Sequence, residues 1–221
     1  MKLILSSCDF RNDHSRQVIL ENIPKSIDRC RVLYIPNEKA TYESIHSEKF
    51  YRRLQEFGFL KENIYVLDYY DPKPYFNLDI DLLYISGGNT FKTLNRIRNC
   101  HFDVEIIRYI HAGVTYIGGS AGAHIVTQSI SHVSVYDEVP MDMTDFSALG
   151  LFDGILLCHY TPDRQMHFDQ LIQEGRYNVY ALTDDDSIQY GINGAVGGSL
   201  FTFNDQSGIA VHPGIAGEST L

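Results

Sequence analysis

The sequence predicts an α/β fold: a doubly wound, mostly parallel sheet with an antiparallel C-terminal edge, built as a single domain over residues 1–221. Three observations predict it. Short apolar runs rich in Ile, Val, Leu and Tyr alternate with longer segments of helical period, the order that parallel strands and crossover helices produce. Two of these runs end in glycine-rich turns that open helices, at Gly87-Gly88 and around Ser120. From residue 188 onward the helical segments stop and short apolar runs follow one another closely, as antiparallel hairpins do.

The first strand is expected at residues 2–7, because the apolar run after Met1 ends in serines and is too short for a signal-peptide core. Further strands are expected at 31–36, 63–67, 81–86, 114–118, 154–158 and 178–182, and helices at 13–22, 41–57, 90–98, 103–111, 121–128 and 164–174. Thr41 to Ser44 reads as a capped helix start and Phe57-Gly58 as a glycine stop. The tail adds Ile188-Gln189-Tyr190, Ala195-Val196, Leu200 to Phe203 and Ile209 to Val211 as short antiparallel strands.

Composition narrows the function. A hydrophobic fraction of 44% with 21% charged residues supports a sizeable core and excludes a disordered chain. The net charge of −10, with no basic block, argues against nucleic acid or an anionic membrane surface as partner. No run approaches the ~18 apolar residues of a membrane helix. Four widely spaced cysteines, at 8, 30, 100 and 158, suggest neither a zinc knuckle nor a redox dithiol. A cytoplasmic protein with reduced thiols is the expectation, and a homodimer is compatible with it.

The strongest chemical signal is the segment from Val114 to Val126, where a strand runs into Gly118-Gly119-Ser120-Ala121-Gly122 and then a helix. A nucleophile elbow needs glycines two before and two after the serine, because larger residues clash in that tight turn. Ser120 is therefore the expected nucleophile. Acyl transfer also needs donors for an oxyanion, and Gly88 and Ala121, on adjacent turns, are the expected backbone pair. Asn89, beside the first turn, is expected at the substrate or, like Thr90, as a helix cap.

Of nine histidines, His159 follows the strand at 154–158 and so stands at the C-terminal strand edge, where doubly wound sheets place their sites. His212 is its rival, although an antiparallel tail strand would put it at the wrong end. His124 reads as a packed residue one turn into the elbow helix, and His111 should lie at the opposite face. For the carboxylate, Glu138 is the first choice, with Asp137 close behind, since both lie between serine and histidine in the chain. The acidic turn Asp184-Asp185-Asp186 also follows a strand and could reach the same edge, but reads first as a solvated turn. No metal-ligand spacing such as His-Glu-x-x-His occurs, so neither metal nor other cofactor is expected.

Taken together, Ser86-Gly87-Gly88-Asn89-Thr90-Phe91, Gly118 to Ala123, Ala148-Leu149-Gly150-Leu151 leading to His159-Tyr160, and late Ile188-Gln189 with Ala195 to Gly198 resemble the peptidase E family of aspartyl dipeptidases, peptidase family S51. The resemblance implies a class I glutamine amidotransferase-like α/β/α sandwich and a serine peptidase releasing N-terminal aspartate from dipeptides. It implies Ser120 as nucleophile, His159 as base, Glu138 as acid, Gly88 and Ala121 as oxyanion donors, and Arg164 as the arginine that holds the substrate aspartate. Cyanophycinases, which cleave β-aspartyl-arginine links, are similar to this family and give an alternative substrate. A non-catalytic small-ligand-binding module on the same fold is the competing class. A glutamine amidotransferase would need cysteine where Ser120 stands.

Overall fold

The computed structural model describes residues 1–191 and, beyond them, the backbone of Ser199–Thr202 and Val211–His212. In chain order the elements are β1 (Lys2–Ser6), α1 (Asp13–Asn22), β2 (Val32–Ile35), α2 (Tyr42–Ile45), α3 (Lys49–Phe57), β3 (Ile64–Val66), β4 (Leu82–Ile85), α4 (Thr90–Asn99), α5 (Phe102–His111), β5 (Thr115–Gly119), α6 (Ala121–Ile125), β6 (Ile155–Leu157), α7 (Gln165–Glu174), β7 (Val179–Ala181), β8 (Ser187–Gly191), β9 (Ser199–Thr202) and β10 (Val211–His212). The strand expected at Ala195-Val196, Phe203 at the end of the next one, and residues 209–210 of the last one lie outside the described residues.

Seven strands form the main sheet in the order β3-β2-β4-β5-β1-β8-β9. The five from β3 to β1 run parallel, while β8 is antiparallel to β1 and β9 to β8. The expected α/β architecture with an antiparallel edge is therefore present. Every residue of β2, β4 and β5 is buried. Strands covered by helices on both faces need such continuous apolar runs rather than alternation. Among the described residues no helix is long and apolar enough to cross a membrane.

The sheet is not single, as the sequence had suggested. β6 and β7 leave it and pair parallel to each other, with β10 antiparallel on the far side of β7. The cause lies at β1, whose second edge is taken along its whole length by β8, from Lys2 opposite Gly191 to Ser6 opposite Ser187. β6 packs in two directions instead. Leu156 and Cys158 face the main core, whereas Ile155 and Leu157 join Phe168 and Leu171 of α7 and Val179 and Ala181 of β7 in a second core. This alternation along one strand is what a sheet between two apolar layers requires.

Two helices are shorter than expected. The segment 41–57 breaks because Ser47 serves both halves: its hydroxyl donates to Ser44 O and accepts from Lys49 N. The elbow helix stops at Ile125 instead of 128, where Leu151 N and Phe152 N both donate to Val126 O.

Candidate active site

β5 delivers Ser120 at φ 50° and ψ −108°, a conformation L-residues rarely adopt. Such strain costs on the order of 1–3 kcal/mol and persists only where the surroundings enforce it. Here they do. Ser120 N donates to Ser6 O at 2.8 Å, tying the elbow to the end of β1, and Ala123 N and His124 N both return to Ser120 O. The second elbow glycine has a packing reason as well: a Cβ on Gly122 would stand 2.1 Å from Ile85 O, so only glycine lets α6 rest on the end of β4.

His159 arrives from the small sheet. Ser120 Oγ donates to His159 Nε2 at 2.8 Å, and His159 Nδ1 donates to Asp184 Oδ1 at 2.6 Å. His159 also has positive φ, 54°. β6 and β7 are in parallel register through Leu157 opposite Ala181, so the residues just past them, His159 and Asp184, emerge side by side. A third residue fixes the pair. The wholly buried Ser7 hydroxyl accepts from His159 N at 3.1 Å and donates to Leu182 O at 3.0 Å, joining the end of β1 to both strands of the small sheet. Partial burial alone would raise the Asp184 carboxyl, but hydrogen bonds from His159 and Cys8 outweigh it and hold Asp184 below the usual carboxylate range.

The expected carboxylate is thereby corrected: Asp184, not Glu138, lies on His159. Glu138 Oε2 accepts from Lys92 Nζ at 2.6 Å, and Asp137 Oδ2 accepts from Thr90 N at 2.7 Å. Both acids serve the start of α4. Asn89 is committed there too, since its Oδ1 caps the helix by accepting from Lys92 N and its Nδ2 donates to Glu138 O. Its helix-capping role, rather than a substrate contact, is what the geometry displays. Arg164 donates through Nη1 to Cys158 O at 2.5 Å, and its guanidinium carbon lies 3.9 Å from the Tyr136 ring centroid. Its fork is thus partly spent inside the fold. In the acidic turn the three aspartates part company: Asp186 Oδ2 accepts from Thr183 N and Oγ1, Asp185 accepts from Asn12 Nδ2, and Asp184 is left to His159. Strand adjacency was the signal for Asp184. It placed Asp184 among the candidates, but ranking it above Glu138 needs the pairing of β6 and β7.

Gly88 and Ala121 lie on the turns that open α4 and α6, and a Cβ built on Gly87, next to Gly88, would stand 3.3 Å from Ser120 Cβ. Among the described residues neither backbone N–H has a hydrogen-bond acceptor. The Gly87 carbonyl accepts from Asn37 Nδ2 at 2.7 Å, and Glu38 Oε2 accepts from Asn89 N and Thr93 Oγ1, so the loop is held from β2's side.

Other predicted residues resolve simply. His124 is buried in α6, and desolvation together with the neighbouring His132 drives its pKa well below the ordinary histidine value. His212 pairs opposite Val179, at the start of β7, and so lies at the end of the small sheet away from Ser120. Cys8 Sγ, His159 and Asp184 present donor atoms within 4.8 Å of one another, the one arrangement among the described residues with metal-like composition. The 2.6 Å contact of Nδ1 and Oδ1 is a hydrogen bond. Two donors on one zinc, at ~2.0 Å each and tetrahedral, stand ~3.3 Å apart. Burial and Asp184 push the Cys8 thiol up to about 11, so it remains protonated.

A doubly wound α/β fold in which a positive-φ serine is hydrogen-bonded to a histidine, and that histidine to a carboxylate, has the arrangement of hydrolase-type proteins. The particular family follows from comparison: the model of peptidase family S51 matches residues 3–194, and the chain belongs to that family. It is 32% identical over 114 residues to an uncharacterized peptidase of Listeria monocytogenes, covering 49% of this chain and 55% of that protein. It is 40% identical over 84 residues to an uncharacterized peptidase of Pasteurella multocida (37% and 40%) and 34% identical over 83 residues to peptidase E of Citrobacter koseri (38% and 35%). The aligned stretches thus span about half or less of these relatives. Among solved structures, a Listeria monocytogenes protein assigned to peptidase E superposes with a TM-score of 0.67 at 24% identity, over 92% of this chain and 98% of the other. A peptidase from an acI-B1 Actinobacterium gives 0.55 at 14%, over 91% and 87%. At these identities the two structures establish the shared fold alone.

Proposed function

We propose that this chain is a serine peptidase cleaving short peptides through an acyl-enzyme on Ser120. The observation that carries the reading is the continuous relay from Ser120 Oγ to His159 Nε2 at 2.8 Å and from His159 Nδ1 to Asp184 at 2.6 Å, mounted on a positive-φ serine. As the hydroxyl attacks the scissile carbonyl carbon, its proton passes to His159 Nε2. The ionised Asp184 stabilises the resulting imidazolium and keeps Nδ1 protonated. The oxyanion of the tetrahedral intermediate takes hydrogen bonds from Gly88 N and Ala121 N, which have no other acceptor among the described residues. Collapse of the intermediate breaks the C–N bond, and His159 returns its proton to the leaving amine. Water, deprotonated by the same imidazole, then frees the acid product and Ser120. No step calls on a metal or cofactor.

Dipeptides are the proposed substrates, with N-terminal Asp as the preferred acyl residue. Release of free amino acids from a dipeptide panel, measured for the wild type and Ser120→Ala, tests the reading. Turnover in the wild type and its loss in the variant support it; equal turnover in both refutes it.

A further inference from the structure

We propose that Arg11, clamped by Asp9, forms a carboxylate-binding subsite beside the nucleophile; this deepens the serine-peptidase reading and rests on it. The chain invests heavily in placing these two residues. Directly after β1, the 3-10 turn Asp9–Arg11 puts Asp9 at φ 50° with no exposed surface. Its backbone N–H donates to Ser6 Oγ at 2.8 Å. The elbow makes room for it: a Cβ on Gly119 would stand 2.4 Å from Asp9 Cβ and 2.5 Å from Oδ2, so any larger residue before Ser120 would displace the carboxylate. A strained backbone, a buried charge and an obligatory glycine are three costs borne at one point.

What they secure is a guanidinium. Asp9 Oδ1 accepts from Arg11 Nε at 3.2 Å, which orients the fork while leaving its two terminal nitrogens unbonded among the described residues. The side chain is 51% exposed, so the fork faces a space that solvent or substrate can enter. It also lies close to the chemistry. A Cβ built on Gly87 would meet Arg11 Nη2 at 3.0 Å and Ser120 Cβ at 3.3 Å, so one loop residue separates cation from nucleophile, and the next, Gly88, carries the proposed oxyanion donor. Arg164 and Lys92, by contrast, are engaged with Cys158 O and Glu138. Arg11 stays charged at any working pH, and its planar fork fits a carboxylate better than an ammonium would.

In a dipeptide, two carboxylates lie at the same covalent distance from the scissile carbonyl carbon. The C-terminal carboxylate is three bonds away through N and Cα, and an N-terminal Asp side chain is three bonds away through Cα and Cβ. Four substrates separate these sources: Asp-Leu, Asp-Leu amide, Ala-Leu and Ala-Leu amide. Wild type should favour the carboxylate that Arg11 reads by about tenfold to a hundredfold in kcat/KM. Arg11→Gln should erase that preference along one axis only, Asp over Ala or acid over amide, and so name the source. Arg11→Lys should restore part of it.

The same comparison by calorimetric binding in the Ser120→Ala background, with and without Arg11→Gln, judges the subsite even if wild type hydrolyses none of the four. Failure of hydrolysis alone would refute the peptidase reading. Loss of one binding preference on Arg11→Gln would still uphold the subsite. A protein that does not discriminate along either axis in turnover or binding, or an Arg11→Gln variant that weakens all four peptides by one common factor, overturns it.

Discussion

Ser120 and His159 share an unusual backbone, φ 50° and 54°, but reach it by different routes. The serine's strain is imposed locally: Gly118 and Gly122 flank it, and its main hydrogen bonds go to Ser6 and to its own helix. The histidine sits between Cys158 and Tyr160, with no glycine beside it, and is held by Ser7, far away in the chain, and by Asp184. The main sheet therefore builds its half of the site around a turn shaped by its own flanking glycines and anchored at Ser6, whereas the small sheet builds its half from tertiary partners alone. Replacements in the first half should act on chemistry alone; those in the second should disturb chemistry and stability together.

The largest effect should come from the local half. Ser120→Ala is expected to lower kcat/KM for dipeptides by at least ~10³-fold with little change in thermal midpoint, since triad members act as a unit. A midpoint shift of many degrees would mean that the elbow's strain is coupled to the fold more tightly than the contacts indicate. Next, Asp184→Asn should cost ~10²- to 10⁴-fold in kcat by removing the group that stabilises the imidazolium. Steady-state kinetics on a well-folded variant checks this.

The seam between the sheets supplies a pH test. His132 Nε2 donates to Leu156 O of β6 at 2.6 Å, and its ring meets that of His124 edge to face at 5.8 Å between centroids. Burial lowers His132 to about 4 and His124 well below its ordinary value of 6.5. Because both folded-state values are depressed, the unfolded chain binds more protons below pH ~6.5. Stability is therefore complete above that pH and falls as pH drops toward 4, by on the order of 3 kcal/mol for His132 alone. Chemical denaturation across pH 4–7 measures it, and His132→Gln should flatten the curve.

Ser7→Ala comes next. It leaves His159 N without its acceptor, while Leu182 O keeps the bond from Tyr160 N, a loss of about 1–3 kcal/mol. Because the imidazole loses its tether, kcat should fall about tenfold while KM holds; a thermal shift without that kcat change would make Ser7 a purely structural residue. Smallest of all is Glu138→Gln. Its pair with Lys92 is exposed, worth about 0–1 kcal/mol, and activity should stay within about threefold of wild type.

The same contrast explains what could be read in the sequence. Strand and helix order, the glycine-flanked turn at Ser120, the Gly87-Gly88 turn and the place of His159 at the strand edge were legible because each rests on local pattern: apolar period, flanking glycines, or position after a strand. The departure of β6 and β7 from the main sheet was not, because their runs of Ile, Leu and Val suit either sheet, and only β8's occupation of β1's edge decides between them. Asp184 was named as able to reach the site but ranked behind Glu138 and Asp137 for the same reason. Chain order between serine and histidine favoured Glu138, whereas the parallel register of β6 and β7 governs which carboxylate His159 meets. Ser7 gave no signal at all, since a serine after a strand is ordinary until its two partners are known.

The central claim, that Ser120, His159 and Asp184 form one catalytic unit, is tested most directly by a double-mutant cycle on dipeptide hydrolysis. Asp184→Asn is introduced into the wild type and into Ser120→Ala, and residual kcat is measured with a sensitive amino-acid assay. The account predicts a loss of ~10²- to 10⁴-fold in the wild type and less than about threefold in the Ser120→Ala background, because without the nucleophile there is no proton to relay. The same factor in both backgrounds, or no loss in either, would contradict it.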